Sequence, residues 1–468
     1  MRFPIWLAVI AALVTVAAVL VAGQFLLQPN QPLITDAGFT PETITPNADG
    51  DSDVTALAYS LSRNADVSLV FAAEDGTTFA FRENERRAKG DYSVLFSGVV
   101  DGFTLPDETI SGDVVRRLMP DGTYTWTLTA VGVDRDETDT RTGTFVITNG
   151  DPELPQLVDF SVSPQNFTPN QDGIDDRAQI NLYLTKDANL TVYLLGANDQ
   201  HIYIAERVEG RLEGEMGRHL FDYEAGVDLG ADPPPDGTYT LVAEAEDAEG
   251  QRIEQRAELT IRSGGKPLAE IAPQTVGASV VFEMQPYDER YASSAEALGE
   301  TVAPPADARG LAMTAITMPI GDLLVFKLTV ENYSEVPIRT TGPMPGTVYQ
   351  QEQRAATLGW YDESGAWRIG IDCDTAASDY PWRWAVGAAD DLVAEYDEES
   401  GNTYYYLPAG SRSVVWGAIR MTELVPARNP QNCWAGLIHE DVEVSIFNAR
   451  VGPREVELVD PNAALEVE

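Results

Sequence analysis

Two stretches of the sequence place oxygen ligands at a spacing that suits a hard cation. In the first, Asn47, Asp49, Asp51 and Asp53 occupy alternate positions around Gly50. The second stretch offers a similar set, Asn170 and Asp172 with Asp175 or Asp176. Ca²⁺ binds carboxylate and amide oxygens that a tight turn folds inward. The pattern therefore indicates two candidate metal sites, and Ca²⁺ is the cofactor that it suggests.

The same residues also have an explanation without metal. Asn and Asp side chains cap turns by bonding to their own backbone, and Gly supplies the turn conformation. Neither stretch places a bidentate Glu at the EF-hand position. The sequence leaves both interpretations open.

Catalytic patterns find little support in the rest of the chain. The three histidines, His201, His219 and His439, lack a zinc-helix spacing, and there is no nucleophile elbow or phosphate loop. Aromatic faces can stack on sugars, but we favour a sandwich core as the role of the tryptophans of the last third. These are Trp360, Trp367, Trp382, Trp384, Trp416 and Trp434. We predict that the protein is not an enzyme.

Two phrases occur twice along the chain. Thr45–Asp53 recurs as Thr168–Asp176, and Pro120–Tyr124 recurs as Pro235–Tyr239. Alternating apolar and polar residues follow each opening phrase, as expected for half-buried strands. Tandem repetition favours an architectural or binding role over catalysis. The sequence predicts two β-sandwich modules, at 41–149 and 150–262.

The paired phrases resemble the bacterial immunoglobulin-like module of the flagellar hook-capping protein and of gliding-motility adhesins. That family opens on Ser/Thr-Pro-Asn-x-Asp-Gly-x-x-Asp and closes on Pro-Asp-Gly-Thr-Tyr, and both copies match both phrases. The family's middle aromatic-Asp-Gly element is changed to Phe96-Ser97-Gly98 and Phe221-Asp222-Tyr223. The resemblance implies tandem immunoglobulin-like sandwiches in a secreted or surface-attached protein.

A linker at 263–275 precedes a last region, 276–468, that is predicted to be a larger β-sandwich. Its segment Phe326–Ser334, followed by Pro337-Ile338, resembles the immunoglobulin-like family of a bacterial intracellular proteinase inhibitor. That resemblance implies a sandwich fold but not inhibition, since no inhibitory loop can be matched. The region also contains both cysteines, Cys373 and Cys433. Outside a membrane two thiols in one domain tend to pair, so we predict a disulfide.

The N-terminus is predicted to be an uncleaved signal-anchor, residues 1–28, followed by a stalk at 29–40. Residues 5–27 are uncharged, Arg2 precedes them, and the next basic residue is Arg63. At about 1.5 Å per residue this run spans the hydrocarbon core of roughly 30 Å, and the basic residue places the N-terminus in the cytoplasm. The alternative is a signal peptide cleaved after Val21-Ala22-Gly23.

The charge of the chain restricts its partners. The 74 acidic and 31 basic residues give a formal net charge of −43 and a pI near 4.2. Such a surface repels a nucleic acid and offers few side chains to displace its counterions. Divalent cations or basic partners suit it better, although acidity also serves solubility alone.

Together these features predict an all-β protein: an N-terminal transmembrane helix, tandem immunoglobulin-like β-sandwiches and a larger C-terminal β-sandwich. We expect a single-pass membrane protein of the cell surface with structural, adhesion or assembly functions, whose distal domain binds a protein or envelope-polymer partner. One alternative is an accessory subunit of an envelope complex or filament. Another is a carbohydrate-binding or carbohydrate-active surface protein.

The calcium hypothesis predicts that chelation destabilises residues 31–265. A metal that binds only the folded state raises stability, so EDTA should lower the melting temperature followed by circular dichroism. An identical melting curve with and without EDTA would contradict metal binding at these turns.

Overall fold

The computed structural model describes residues 5–26, 31–134, 137–207, 214–307, 310–311, 314–398, 400–444 and 447–460. Residues 1–4 and 27–28 of the predicted anchor, 29–30 of the predicted stalk and 461–468 of the predicted C-terminal sandwich lie outside this part of the chain. The contacts divide the chain into two compact units. Unit 1 comprises Met1–Ser161, Asn181–Phe221 and Thr240–Ala257, and unit 2 comprises Val162–Ile180, Asp222–Tyr239 and Glu258–Glu468.

The only helix longer than one turn among the described residues is α1, Ile5–Leu26. Its Ala- and Leu-rich sequence suits a helix, and Pro4 directly precedes it. Within the part of the chain that the structure describes, no helix has the length and apolarity needed to cross a membrane. The predicted membrane anchor is thus not supported by the structure and stays a prediction.

The first repeat is a β-sandwich in unit 1 whose strands pair antiparallel, except that β2 runs parallel to β10. Its strands are β1 (Ile34–Thr40), β2 (Thr43–Ile44), β3 (Thr55–Leu61), β4 (Ala65–Ala73), β5 (Thr78–Arg87), β6 (Gly90–Phe96), β7 (Val99–Asp101), β8 (Asp113–Leu118), β9 (Gly122–Gly132) and β10 (Thr138–Ile147). One sheet has the order β1-β3-β6 and the other β2-β10-β9-β4-β5. Alternate residues of β4 are buried, as the sequence pattern predicts. Phe39, Phe71, Phe96, Trp126 and Phe145 form the aromatic centre of the core.

The second repeat has the same strand order. Its strands are β11 (Leu157–Ser163), β12 (Asn166–Phe167), β13 (Ala178–Leu184), β14 (Asn189–Leu195), β15 (His201–Ile204), β16 (Gly217–Tyr223), β17 (Gly237–Glu246) and β18 (Arg252–Ile261). Strands β11-β13-β16 form one sheet, and β15-β14-β17-β18 form the other, with β12 on β18. This arrangement is immunoglobulin-like in both copies. The predicted all-β, immunoglobulin-like repeat fold is confirmed at this level.

A hairpin of the first repeat also joins the sheet of the second. Strand β8 pairs antiparallel with β18, with Val114 opposite Ile253 and Asp113 opposite Glu254. These residues all belong to unit 1. The hairpin β7–β8 therefore extends this sheet by two strands beyond β18.

The C-terminal region is a larger sandwich within unit 2. Its strands are β19 (Ala269–Ile271), β20 (Val280–Gln285), β21 (Ile316–Pro319), β22 (Leu323–Asn332), β23 (Ile338–Thr340), β24 (Val348–Gln350), β25 (Trp367–Cys373), β26 (Trp382–Ala385), β27 (Val393–Tyr396), β28 (Thr403–Leu407), β29 (Arg412–Arg420), β30 (Gln431–His439) and β31 (Val451–Val459). One sheet has the order β19-β22-β29-β24, with β20 on β22. The other has the order β21-β31-β30-β25-β23-β28-β27, with β26 on β25.

Short 3₁₀ turns complete the described secondary structure. They lie at Ala197–Asp199, Val227–Leu229, Glu289–Tyr291, Ala355–Leu358 and Pro426–Arg428.

The tryptophans of the last third mostly fill the core of this sandwich. Trp367, Trp382, Trp384 and Trp434 are buried, whereas Trp360 and Trp416 are half-buried. Their burial agrees with the core interpretation, and the half-buried Trp360 borders a surface cleft.

Cys373 and Cys433 form the predicted disulfide. They lie opposite one another on the paired strands β25 and β30, and the sulfur atoms are 2.01 Å apart. The bond closes a loop with a sequence separation of 60. In the chain-entropy treatment such a closure stabilises a domain by about 4 kcal/mol.

Candidate functional site

The two copies of the opening phrase fold into the same turn. Gly50 and Gly173 stand at its tip with φ of +88° and +84°, a conformation that favours glycine. Asp53 accepts hydrogen bonds from the backbone N–H of Asn47 (3.1 Å) and Gly50 (2.8 Å). Asp176 does the same for the N–H groups of Asn170 (3.2 Å) and Gly173 (2.6 Å). The last carboxylate of each phrase therefore closes its own turn.

The other predicted ligands of the first copy also bond within their turn. Asn47 accepts from the N–H of Asp49 at 3.1 Å, and Asp49 accepts from that of Asp51 at 2.8 Å. Asp51 accepts from the Ser52 hydroxyl at 3.2 Å.

The second copy repeats this arrangement. Asn170 accepts from the N–H of Asp172 at 3.0 Å, and Asp172 accepts from that of Ile174 at 2.9 Å, while Asp175 is exposed. No group of three or more His, Cys, Asp or Glu side chains among the described residues could hold a metal ion. The bonds match the turn interpretation, and Ca²⁺ at these turns stays a prediction.

The closing phrase holds the chain where it leaves each repeat. In the first copy, Asp121 accepts from the N–H groups of Asn149 (2.7 Å) and Gly150 (3.0 Å). In the second, Asp236 accepts from Ser263 (2.8 Å) and Gly264 (3.0 Å).

The tyrosine of the closing phrase is part of the same structure. Tyr124 donates to the Pro120 carbonyl at 2.5 Å, and Tyr239 donates to the Pro235 carbonyl at 2.7 Å. Both tyrosines therefore fix the turn that presents the capping aspartate.

The two phrases meet at the exit of each repeat. The Pro46 carbonyl accepts from the N–H of Asp151, and the Pro169 carbonyl accepts from that of Gly265, both at 3.0 Å. The repeated sequence thus braces the segment that follows each sandwich.

A buried ion cluster adds to this bracing in unit 1. The Lys186 ammonium lies 2.9 Å from a carboxylate oxygen of each of Asp151, Asp247 and Glu249. Burial alone would lower the pKa of Lys186, but hydrogen bonds to these three carboxylates outweigh it and raise the pKa. Lys186 therefore stays charged and links the connecting segment at Asp151 to the β17–β18 turn.

In unit 2 the second turn docks against the C-terminal sandwich. The Arg339 guanidinium donates to the carbonyl of Asp172 (2.5 Å), to that of Ser364 (2.6 Å) and to the Glu363 carboxylate (2.8 Å). The Tyr406 hydroxyl donates to the Asp172 carboxylate at 3.1 Å. Sequence reasoning missed both contacts, although the run Tyr404-Tyr405-Tyr406 is visible in the sequence.

A histidine of the C-terminal sandwich also contacts the second turn. The Nε2 atom of His439 lies 2.7 Å from the carbonyl oxygen of Gln171, to which it donates as the neutral tautomer. Burial lowers the pKa of His439 to about 4. Burial, and then the neighbouring Asp176 carboxylate, raise the pKa of Asp172 to about 6. Both groups are thus held in desolvated positions.

The tips of the two turns differ in their surroundings. A Cβ atom added to Gly173 would lie 2.0 Å from the carbonyl oxygen of Ser364, whereas one added to Gly50 meets nothing within 4 Å. Asp172 is buried, whereas Asp49 is exposed. The second copy therefore has a packing role that the first copy lacks in unit 1.

A cleft of about 550 Å³ lies beside the docked turn in unit 2. Its lining includes Gly173, Arg339, Trp360, Tyr404 and Tyr405. Its volume lies within the range typical of ligand sites. The cleft is the candidate binding site of the C-terminal sandwich.

Comparisons with known proteins do not name a family. No family model matches the chain. No curated protein matches it either. The resemblances to the hook-capping module and to the proteinase-inhibitor family stay predictions.

Several solved structures match the chain at low sequence identity. Fibronectin(III)-like modules of Clostridium thermocellum CbhA match at 10% identity, covering 47% of this chain and 86% of theirs, with a TM-score of 0.18. A tetra-tandem repeat from the extending region of a large adhesion protein matches at 11% identity, covering 92% of both chains, with a TM-score of 0.17. A bacterial ice-binding adhesin matches at 9% identity, covering 92% of this chain and 99% of its own, with a TM-score of 0.17. At such TM-scores the likenesses support no argument about this chain.

The docked turn predicts unequal effects of the same substitution in the two copies. Gly50→Ala should cost about 1–2 kcal/mol, the strain of a left-handed alanine. Gly173→Ala should cost about 1–3 kcal/mol more, because its Cβ also collides with the Ser364 carbonyl. Urea unfolding of the two variants measures the difference. Equal losses of stability would contradict the docking of the second turn.

The two desolvated groups predict opposite pH dependences. His439 has a folded pKa of about 4, below its usual 6.5, so its contribution to stability is present above pH 6.5 and is lost as pH falls towards 4. Asp172 has a folded pKa of about 6, above its usual 3.8, so its contribution is present below pH 3.8 and is lost as pH rises through 6.

In the wild-type protein the two contributions oppose one another between pH 4 and 6. Relative to wild type, the stability of His439→Gln should therefore decline as pH rises across this range, and that of Asp172→Asn should increase. Urea unfolding at intervals of half a pH unit measures the three slopes. Parallel slopes for all three proteins would refute the assignment.

Proposed function

We propose that this protein is a membrane-anchored, extracytoplasmic structural or adhesion protein whose braced repeats present a C-terminal binding domain. The main support is the use of the repeated phrases. Asp121 and Asp236 cap the exit of their repeats, and Asp53 and Asp176 close the turns beside those exits. Because both copies use these aspartates in the same way, we infer that the repeated phrases stabilise the connection between modules.

The contacts at the junction between the two repeats in unit 1 support a mechanical role for this connection. The connecting segment is held by Lys186 through Asp151, and Gln251 donates to the carbonyls of Asp151 (3.1 Å) and Glu153 (2.8 Å). The β8–β18 pairing adds backbone hydrogen bonds between the two repeats. Bending at this junction would break several part-buried polar contacts together, and leaving such groups unpaired is costly.

An extracytoplasmic location is supported by the disulfide and by the N-terminal sequence. Disulfides persist mainly in oxidising compartments, and Cys373 and Cys433 are paired. The uncharged run at residues 5–27 is the proposed single-pass anchor. The net charge of −43 suits a soluble, exposed protein and disfavours a nucleic-acid partner. Ca²⁺ at the exposed first turn is proposed as an additional stabiliser.

The proposal predicts the location and topology of the full chain in its native host. The protein should remain in the membrane fraction after carbonate washing, and external proteinase K should digest it in intact cells. A variant with Val14→Lys and Ala17→Lys should leave the membrane fraction, because charges at the centre of a spanning helix are costly. The matched Val14→Leu, Ala17→Leu variant should behave as the wild type. Wild-type protein in the cytosol, protected from the protease, would overturn the proposal.

A pull-down of the full chain from solubilised membranes, with and without EDTA, identifies the class of partner. An envelope polymer or a protein bound in variable amounts agrees with adhesion. A protein recovered at a fixed ratio would instead favour the accessory-subunit alternative.

A further inference from the structure

We propose that the cleft lined by Trp360, Tyr404 and Tyr405 binds a neutral polysaccharide. This inference rests on the proposed function and deepens it, because it names the chemical class that the C-terminal domain recognises.

The composition of the cleft suits a sugar chain. Three aromatic residues line it together with the neutral hydrogen-bonding residues Thr341, Asn402 and Thr403. Tyr405 is 38% exposed and Trp360 is half-buried, so both aromatic residues reach solvent. The C–H face of a pyranose ring is apolar and slightly positive, and an aromatic face is slightly negative, so the two stack. The hydroxyl groups around the ring then require neutral donors and acceptors.

The charges of the cleft favour an uncharged ligand. Its lining contains two charged residues, Arg339 and Glu363, and they pair at 2.8 Å. Arg339 is also engaged by the Asp172 and Ser364 carbonyls. The lining therefore offers no unpaired charge for an acidic or a basic ligand. The net charge of −43 further disfavours polyanions.

The loop that presents Trp360 is held rigidly by arginines of the C-terminal sandwich. The fully buried Arg368 donates to the carbonyls of Tyr361 and Thr341. It also lies 3.2 Å from the Asp362 carboxylate. A buried guanidinium stabilises little by itself, so its position here is best explained by the loop that it fixes.

A second arginine shares carboxylate partners with Arg368, because both guanidinium groups contact Asp362 and Glu440, the latter 3.5 Å from Arg368. Arg383 pairs with both oxygens of Glu440 at 2.7 and 2.8 Å, and it lies 3.4 Å from Asp362. A side chain held in place before binding loses less conformational entropy when the ligand arrives. The loop that carries Trp360 is thus preorganised for binding.

Affinity electrophoresis of the full chain in detergent tests the proposal. Native gels containing a mixed-linkage β-glucan, a galactomannan, a xylan or a starch serve as probes. At least one polysaccharide should retard the wild-type protein, and Trp360→Ala and Tyr405→Ala should weaken the apparent affinity at least tenfold. Tyr361→Ala is the matched control, because Tyr361 is 70% exposed on the same loop and is not part of the cleft lining. Its affinity should equal that of the wild type.

Three outcomes would overturn the proposal. They are no retardation in any of the four gels, an equal loss of affinity in Tyr361→Ala, and binding of a proline-rich peptide, in place of the polysaccharides, that Trp360→Ala abolishes. Circular dichroism melts of the variants separate loss of binding from loss of folding. The gels do not depend on cellular location, so a failure here is distinct from a failure of the fractionation experiment.

Discussion

The structure depends on carboxylates that satisfy backbone N–H groups at the ends of the repeats. A tight turn leaves backbone N–H donors without acceptors, and water can act as the acceptor only where the turn is exposed. Asp53 and Asp176 supply acceptors inside the opening turns, and Asp121 and Asp236 supply them at the exits. With the donors satisfied internally, a turn can be packed against protein. That property allows one short phrase to serve in both an exposed and a buried place.

The second copy shows what this property makes possible. Its turn packs against Arg339 and Tyr406, and Asp172 is buried. The turn of the first copy has the corresponding internal hydrogen bond, but its Asp49 is exposed. The difference lies in the surroundings and not in the turn. The docked turn contributes Gly173 to the wall of the cleft, so a repeat element borders the candidate binding site.

The fold could be predicted from the sequence wherever the pattern is local. The apolar-rich segments at 67–71, 323–330 and 413–419 predict strands, which the structure contains, and the repeated phrases predict the duplication. The alternation of apolar and polar residues at 442–447 also predicts a strand, which is wrong for its described residues, because Val442 lies in a turn and only an isolated bridge joins Glu443 to His439. Residues 445–446 of that prediction lie outside the described chain. The candidate site escaped prediction, since Arg339 and Tyr406 meet Asp172 across 167 and 234 residues. The spacing of apolar residues within one strand does not indicate contacts between residues so far apart in the sequence.

The pairing of β8 with β18 has a consequence for biogenesis. Strand β8 is made well before Arg252–Glu254, the residues that cover its outer edge. Until those residues emerge, the hairpin presents unpaired backbone groups that can recruit another strand. If the chain after the proposed anchor is translocated in the N- to C-terminal direction, this edge of β8 gains its partner only after almost all of the second repeat has crossed the membrane. Folding of the two repeats is therefore coupled. A chain truncated between them would leave the edge of β8 unpaired and able to recruit another strand.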